Sequence, residues 1–333
     1  MTEAATLSTA FTKRFDLSVP VIQAPMGGVA GPRLIAAAAN AGALGNLPIW
    51  FFPADTARQV IRQTRALTAK PFAVNLRADL KQEELIALAA EEGVTLFNLF
   101  WGNPAPSMPA IRRAGGRLIA TISDKDGAKA ALDAGAEALI AQGVEAGGHV
   151  FGTTPLAELV PAVAELAGSV PVVAAGGIVE AQDMVRAFGW GAAGVVLGSC
   201  LIVTDDADAH PGYRKALLEA KAGDTVLSKC FDGFWPDAPH RTLKNSTYRM
   251  WSEAGFPKSG TRPGEGDIVV RGPGGAEIPR YHAATASAGT TGDCEAMALY
   301  AGTGVGRIRE AKSASAFIRD IVAAAAGNLR GAG

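Results

Sequence analysis

The residue with the clearest chemical potential in this sequence is His149, one of four histidines. It follows a pair of glycines in the segment QGVEAGGHVFG, residues 142–152. An imidazole whose ordinary pKa is about 6.5 can accept or donate a proton near neutral pH, so it suits general acid–base catalysis. A loop histidine that merely hydrogen-bonds to a backbone carbonyl is the alternative interpretation.

Two glycine-rich turns are the second feature that could bind a ligand. The segments VVAAGGI (172–178) and GVVLGS (194–199) each place glycines directly after an apolar run. Bare backbone N–H groups beside a helix N-terminus stabilise a phosphate, and glycine lacks the Cβ that would hold the phosphate away. One such turn is common without any ligand, but two on neighbouring strands predict a phosphate-bearing cofactor.

These residues need a scaffold, and the hydrophobic pattern predicts a barrel. Apolar, β-branched segments alternate with stretches of helical periodicity, several of which end in a glycine. Eight strands in this alternation favour an α/β fold of the closed (β/α)8 TIM barrel type. The runner-up, a doubly wound sheet, usually carries G-x-G-x-x-G after its first strand, and APMGGVAGP lacks that spacing. The predicted strands are 21–25, 43–47, 71–76, 95–100, 117–122, 138–143, 170–177 and 192–199.

Polar side chains stand where these apolar strands end, and barrel active sites lie on the loops that follow. Asn75 and Gln142 occupy such positions, where a bound cofactor would satisfy their hydrogen bonds. Asn46, Asn98 and Thr121 occupy equivalent positions. For each of these three taken alone, we favour a role in capping a neighbouring helix or turn.

The alternation stops after the eighth strand, and the turn-rich segment 205–290 predicts a smaller inserted lobe that acts on substrate or as a lid. Residues 1–204 and 291–333 would then form the barrel. Within the lobe we expect helices at 211–222 and 243–254. The later segments CEAMALYAG and SASAFIRDIVAAAAGNLR predict helices that complete the barrel wall.

Composition indicates a small-molecule partner. Lys and Arg number 31 against 32 Asp and Glu, with no block of like charge, so we expect neither nucleic-acid nor membrane binding. Cys200, Cys230 and Cys294 show no C-x-x-C spacing, which predicts neither a disulfide framework nor a metal site, and Cys200 is expected to be a buried small residue. The N-terminal residues lack a signal-peptide pattern, so a cytoplasmic location is expected.

Several segments, in this order, resemble the nitronate monooxygenases, formerly called 2-nitropropane dioxygenases. The combination of QGVEAGGH with APM and AAGGI is quite specific, and the resemblance covers roughly residues 17–204 and 290–325. It implies an FMN-binding barrel. The segments that carry it are VIQAPMGGVAGPRLIAAAANAGALG, LTAKPFAVNL, AQGVEAGGH, VPVVAAGGI, GAAGVVLGSCLI and LYAGTGVGRI.

The resemblance also implies roles for individual positions. Ala24, Pro25 and Met26 would lie against the flavin ring, and Asn75 and Gln142 would hydrogen-bond to the isoalloxazine or ribityl chain. The backbones of Gly147, Gly148, Gly176, Gly177, Gly198 and Ser199 would hold the tail and phosphate. His149 would be the catalytic residue at the reactive face of the flavin, whereas His210, His240 and His282 have no such context and are interpreted as ordinary surface or lobe residues. Thr303 stands where many relatives have glutamine, so a side-chain contact could be missing.

The function implied is oxidation of alkyl nitronates, and of nitroalkanes, by dioxygen to a carbonyl compound and nitrite. We expect a small-molecule substrate and O2 as partners, and either a monomer or a homodimer. Two reductases of the same fold are alternatives: FMN-dependent enoyl-acyl-carrier-protein reductases and NADH:quinone reductases, both using NAD(P)H. A flavin-binding protein without turnover of its own is the alternative from a different class.

Overall fold

Eight parallel strands form the barrel in the computed structural model, which describes residues 7–331. The strands follow one another around the barrel in chain order, and Val21 of the first lies beside Val195 of the last. Two backbone hydrogen bonds close the ring, from Gln23 N–H to Leu44 O and from Leu44 N–H to Val21 O, both 2.9 Å. In chain order the strands are β1 Val21–Gln23, β2 Gly45–Pro48, β3 Phe72–Arg77, β4 Leu96–Phe100, β5 Arg117–Ile122, β6 Ala138–Gln142, β7 Gly148–His149, β8 Val172–Ala175 and β9 Gly194–Leu197, of which β7 alone stands outside the barrel. The predicted (β/α)8 barrel is confirmed, with each predicted strand shifted by at most a few residues.

Helices follow the barrel strands and cover their outer faces. The last helix packs against the helices after the first and seventh barrel strands, and Ser315 Oγ donates to Ala37 O at 2.7 Å. The predicted helix at the C-terminal end of the chain therefore does complete the wall. In chain order the helices are α1 Ala10–Phe15, α2 Pro32–Asn40, α3 Ala54–Leu67, α4 Glu83–Glu91, α5 Met108–Arg113, α6 Lys125–Ala134, α7 Leu156–Ala167, α8 Ala181–Gly189, α9 Ser199–Ile202, α10 Pro211–Glu219, α11 Ser246–Glu253 and α12 Ala314–Gly331.

The short helix α1 seals the bottom of the barrel. Phe11 and Phe15 are buried and pack with Ile22, Leu44 and other side chains from the barrel interior. Thr9 caps α1 by accepting from Thr12 N–H and also donates through its hydroxyl to Ala193 O at 2.6 Å. Because apolar side chains fill this end, a ligand cavity has room only at the C-terminal ends of the strands.

Residues after α9 build two small sheets outside the barrel. The strands are β10 Thr225–Ser228, β11 His240–Leu243, β12 Ile268–Arg271, β13 Glu277–Pro279 and β14 Thr291–Gly292. One sheet has the order β13-β12-β14, and the other has the order β10-β11-β7. The second sheet therefore includes a strand from the loop that follows barrel strand β6.

The helices expected at 211–222 and 243–254 correspond to α10 and α11, but the helix expected at CEAMALYAG is wrong. Only a 3-10 turn at Cys294–Ala296 forms there. The backbone carbonyls that a helix would need accept hydrogen bonds from side chains of α11 and its N-terminal cap instead. Asn245 Nδ2 donates to Met297 O at 2.6 Å, and Thr247 Oγ1 donates to Ala296 O at 2.7 Å. Long-range hydrogen bonds thus override the local helical pattern.

The three cysteines are free thiols and buried. Within residues 7–331, no helix combines the length and the apolar character that crossing a membrane requires.

Candidate active site

A cavity of about 570 Å³ opens at the C-terminal ends of the barrel strands. Every residue that the sequence predicted for the site lines this one cavity. These residues are Ala24, Pro25, Met26, Asn75, Gln142, Gly147, Gly148, His149, Gly176, Gly177, Gly198 and Ser199. The remainder of the lining is mainly apolar and aromatic, and among the described residues it includes no Lys, Arg, Asp or Glu side chain.

His149 is placed by a strand pairing that the sequence did not reveal. It belongs to β7, which runs antiparallel to β11, and there His149 lies opposite His240. The backbone carbonyl of His149 also accepts a hydrogen bond of 3.1 Å from Gln142 Nε2. The backbone of His149 is therefore fixed by two contacts, one with Gln142 of the barrel and one with β11 of the outer sheet.

The His149 ring carries an unsatisfied nitrogen. Its Nε2 is buried and has no hydrogen-bond partner within residues 7–331. Burial, with smaller contributions from the nearby His240 and Arg77, lowers the pKa of His149 from 6.5 to about 3. The ring is therefore neutral at physiological pH, and its free nitrogen can accept a hydrogen bond from a ligand, or a proton where a bound ligand raises the pKa again.

Aromatic residues surround this imidazole, and sequence reasoning missed them. Trp235 stacks on His149 with ring centroids 4.0 Å apart and planes inclined by 24°. Trp101 and Tyr300 lie farther out, at 6.0 and 5.6 Å from the His149 centroid. The aromatic cluster in CFDGFWPDAPH was visible in the sequence, but no local pattern indicated that Trp235 would reach the barrel mouth. These rings exclude water from His149, which explains the direction of its pKa shift.

His240 and His282 are lobe residues, as interpreted, and the structure gives each a definite place. His240 is fully buried directly behind His149, and its own ring is satisfied: Nε2 accepts from Phe231 N–H at 3.0 Å and Nδ1 lies 2.9 Å from Ala238 O. His282 lines the cavity. His210 lies outside the cavity and has a local structural role, since its Nδ1 caps α10 by accepting from Gly212 N–H.

The glycine turn after β8 forms one wall of the cavity and is held from outside by an ion pair. Gly176 and Gly177 have φ of 137° and 67°, which only glycine adopts readily. Arg307 donates to Gly177 O at 2.8 Å and to Asp183 Oδ1 at 2.7 Å. Asp183 in turn accepts from the N–H groups of Val179 and Glu180, both at 2.9 Å. The backbone N–H groups of the two glycines donate to no other group within the described chain and remain available to a ligand.

The glycines before His149 allow a close approach of two backbones. A Cβ on Gly147 would lie 2.6 Å from both Ala301 C and Gly302 N. In the same loop, the Glu145 carboxylate accepts from Leu156 N–H at 3.0 Å and so caps the start of α7. The acidic residue of the EAGGH motif therefore has a structural role here.

The turn after β9 completes the cavity. Ser199 Oγ accepts from Gly302 N–H at 3.0 Å, which joins this turn to the C-terminal segment. Cys200 is fully buried, as expected, and burial raises the pKa of its thiol to about 12. Thr303 is exposed and does not line the cavity, although Gly302 and Gly304 do.

Beneath the cavity runs a row of hydrogen-bonded amides. Asn98 Oδ1 accepts from Asn46 Nδ2 at 2.9 Å and from Asn75 Nδ2 at 2.8 Å, and Asn98 Nδ2 donates to Thr121 Oγ1 at 3.1 Å. The capping role expected for Asn46, Asn98 and Thr121 is therefore wrong, because these side chains bond to one another across the strands. The side-chain amides of Asn75 and Gln142 donate hydrogen bonds within residues 7–331 but accept none. Each therefore keeps a side-chain carbonyl oxygen for a ligand.

A (β/α)8 barrel whose C-terminal mouth combines glycine turns, free amide oxygens and a buried neutral histidine is the arrangement of an enzyme active site. Comparison with known proteins assigns the family. The nitronate monooxygenase family model matches residues 8–96 and 85–324. The chain belongs to this family of oxidoreductases.

Curated relatives carry two different names. A (3aS,4S,5R,7aS)-5-hydroxy-7a-methyl-1-oxo-octahydro-1H-indene-4-carboxyl-CoA dehydrogenase of Rhodococcus jostii is 35% identical over 254 residues, covering 75% of this chain and 70% of that protein. A nitronate monooxygenase of Paraburkholderia phytofirmans is 32% identical over 295 residues, covering 73% and 78%.

Two solved structures match nearly the whole chain. FabK from Thermotoga maritima has a TM-score of 0.83 at 27% identity and covers 98% of both chains. A nitroalkane oxidase from Streptomyces ansochromogenes has a TM-score of 0.75 at 29% identity, covering 97% of this chain and 99% of the other. Both matches therefore extend over the barrel and over the residues outside it.

Proposed function

We propose that the protein is an FMN-dependent nitronate monooxygenase. Its substrates are alkyl nitronates and nitroalkanes, which it converts with dioxygen to a carbonyl compound and nitrite. The observation that carries this proposal is the free, buried Nε2 of a neutral His149 in the same cavity as the glycine turns. Membership of the nitronate monooxygenase family and the nitroalkane oxidase likeness support it.

The residues present fit FMN. The free N–H groups of Gly176 and Gly177 suit the phosphate. Asn75 and Gln142 offer free carbonyl oxygens to flavin N–H or ribityl O–H groups. We assign the ring contact to Ala24, Pro25 and Met26, and the tail and phosphate contacts to Gly147, Gly148, Gly176, Gly177, Gly198 and Ser199.

When bound, FMN supplies the electron transfer between the substrate carbanion and dioxygen. The protein orients the substrate and manages the proton. Neutral His149 accepts the proton from the carbon beside the nitro group through Nε2, which has no competing hydrogen bond. The stacked Trp235 keeps water from this nitrogen. For a nitronate, which has already lost that proton, His149 only orients the substrate.

A reductase that uses NAD(P)H is the second candidate, acting on an enoyl thioester or a quinone. The match to FabK along 98% of both chains, with the higher TM-score of the two structures, favours it. The carboxyl-CoA dehydrogenase name of the Rhodococcus jostii relative adds a thioester-bearing substrate to this alternative. The mainly apolar cavity can accept either an alkyl chain or a planar ring.

The two functions are separated by mixing the FMN-loaded protein anaerobically with candidate reductants. Rapid loss of oxidised-flavin absorbance with ethyl nitronate, but not with NADH or NADPH, is the expected result. In air, nitrite should then appear together with acetaldehyde. Rapid bleaching by NADH or NADPH alone would assign a reductase, and a protein that cannot be loaded with flavin would contradict both candidates.

We further propose the division of the chain into a barrel of residues 1–204 and 291–333 and a lobe of residues 205–290 that acts on substrate or as a lid. The pairing of β11 with β7 supports this, since it brings the lobe to His149. Dioxygen and a small molecule are the proposed partners, in the cytoplasm, and sedimentation of the FMN-loaded protein would decide between a monomer and a homodimer.

A further inference from the structure

Arg77 lies directly behind the wall of the cavity, covered by two tryptophans. Its guanidinium carbon is 3.6 Å from the ring centroid of Trp235 and 5.2 Å from that of Trp50. Both indoles line the cavity, whereas Arg77 does not and is only 9% exposed. A cation is thus packed against a cavity lining that is otherwise without charged side chains among the described residues.

The ion pair with Asp79 uses only part of the hydrogen-bonding capacity of the Arg77 guanidinium. Asp79 accepts from Nε at 2.9 Å and from Nη2 at 2.6 Å. Nη1 of Arg77 donates to no group within residues 7–331. An N–H group that could bind a carboxylate directly is therefore present, and the indoles on which the guanidinium packs, rather than Arg77 itself, line the cavity.

The conformation of the backbone around Trp235 directs its indole toward Arg77. Phe234 and Asp237 have φ of 78° and 58°, a left-handed conformation that residues with a side chain adopt at a cost. Backbone hydrogen bonds of 3.0 Å fix the turn, from Gly233 N–H to Tyr281 O and from Trp235 N–H to Asp232 O. The indole itself is 6% exposed. The position of Trp235 is thus specified by the chain around it.

We propose that Trp235 is a specificity-determining residue that selects substrates whose substituent, beyond the reacting group, is uncharged, because it denies an anionic substituent access to Arg77. The substrate class is then a nitro compound or nitronate with an apolar chain in preference to one with a carboxylate chain. This inference rests on the proposed function for the identity of the reacting group. The packing of Trp235 on Arg77 does not depend on which ligand occupies the cavity.

A pair of probes that differ mainly in charge tests the proposal. The dissociation constants of 1-nitrobutane and 4-nitrobutanoate are measured by calorimetry at pH 7 on the protein loaded with FMN, reduced with dithionite and kept anaerobic, so that the flavin cannot accept electrons from either probe. Wild type should bind 1-nitrobutane at least about tenfold more tightly, since the carboxylate must be desolvated in a cavity that offers it no charged partner. In Trp235→Ala the preference should shift by about tenfold toward 4-nitrobutanoate, the effect of one charge-assisted hydrogen bond.

Three variants show whether Arg77 causes the shift. The double variant Trp235→Ala with Arg77→Gln should return to the wild-type preference, whereas Arg77→Gln alone should leave that preference within about twofold, because Arg77 does not line the cavity in wild type. Trp251→Ala, a tryptophan of α11 outside the cavity, should leave it unchanged. If Trp235→Ala does not fold, Trp235→Leu serves in its place.

An unchanged preference in the Trp235 variant, or a shift that persists in the double variant, overturns the proposal. So does a wild-type protein that binds 4-nitrobutanoate as tightly as 1-nitrobutane or binds neither probe. Because binding is measured without turnover, a wild type that shows the expected preference but releases no nitrite in air contradicts the proposed function and leaves the role of Trp235 standing.

Discussion

His149 and His240 lie opposite each other in an antiparallel strand pair, with ring centroids 5.5 Å apart. Both nitrogens of His240 have backbone partners, whereas Nε2 of His149 has none within the described chain. The two rings share one buried environment but differ in what they can do. His240 supports the structure, and His149 is the histidine that we propose acts on a ligand.

Replacing His149 by Asn should lower turnover of neutral nitroalkanes by a factor on the order of 10²–10⁴, the usual contribution of a general base. Turnover of preformed nitronates should fall much less, since they need no proton removed. FMN should stay bound. Steady-state nitrite release from a nitroalkane and from its nitronate gives the two values.

His210→Asn is the matched control, since His210 caps α10 outside the cavity and asparagine caps equally well. Its rates should equal those of wild type. Because the pKa of His149 is lowered to about 3, the ring stays unprotonated down to pH 5, and no loss of rate between pH 8 and pH 5 should depend on it. Equal rates of the His149→Asn variant and wild type on nitroalkanes would remove His149 from the mechanism.

His240 should make the protein less stable as the pH falls. Burial lowers its pKa to about 4 in the folded chain, against 6.5 when unfolded. Between pH 6.5 and 4 the unfolded chain therefore binds a proton that the folded chain does not, and the free energy of unfolding falls by about 1.4 kcal/mol per pH unit over most of this window. Above pH 6.5 this contribution is constant.

Urea unfolding of wild type and His240→Gln at pH 7.5, 6.0 and 5.0 checks this expectation. The variant should be less stable at pH 7.5, because Phe231 N–H loses its partner. Its stability should nevertheless fall less steeply with decreasing pH than that of wild type. Parallel curves would show that His240 is not the group responsible.

Arg307→Gln should weaken FMN binding by about tenfold or more, since it breaks charge-assisted hydrogen bonds that hold the glycine turn after β8, the proposed phosphate site. Arg307 links Gly177 O to Asp183, whose carboxylate fixes the following backbone. Fluorescence titration of the flavin-free protein with FMN measures the change. Arg319→Gln, at an exposed position on α12, should bind FMN as wild type does.

Gly147→Ala should destabilise the protein by about 1–3 kcal/mol, the usual cost of overpacking. The added Cβ would meet backbone atoms of Ala301 and Gly302 at 2.6 Å, and backbone cannot move aside as a side chain can. FMN loading should fall as well. Gly189→Ala is the control, since nothing lies within 4 Å of a Cβ there, and it should be neutral or slightly stabilising. Thermal unfolding that ranks the two variants in the opposite order would contradict this account.

The barrel and its rim could be predicted from the sequence because both follow local rules. Buried parallel strands are short apolar runs, and the rim residues are those that follow each run, so Asn75, Gln142 and His149 came together as expected. Glycine turns after β8 and β9 carry their own local signal, since Gly176 and Gly177 need a positive φ.

Contacts between distant segments were not predictable in the same way. Trp235 reaches His149 through a turn whose shape depends on Tyr281, and the Asn46–Asn98–Asn75 row depends on the register of three strands. The segment CEAMALYAG has a helical pattern, but the side chains of Asn245 and Thr247 occupy its carbonyls. In each case a partner remote in sequence decides the outcome.

The membership of β7 in the outer sheet has a consequence for how the site is made. The strand that carries His149 pairs with residues about 90 positions later, so the loop cannot settle until that much more chain has been synthesised and folded, a non-local step that slows folding. A nascent chain whose eight barrel strands are complete would thus still hold His149, the proposed base, unpositioned. Removal of the outer sheet by evolution or engineering would therefore also remove the strand partner that fixes His149.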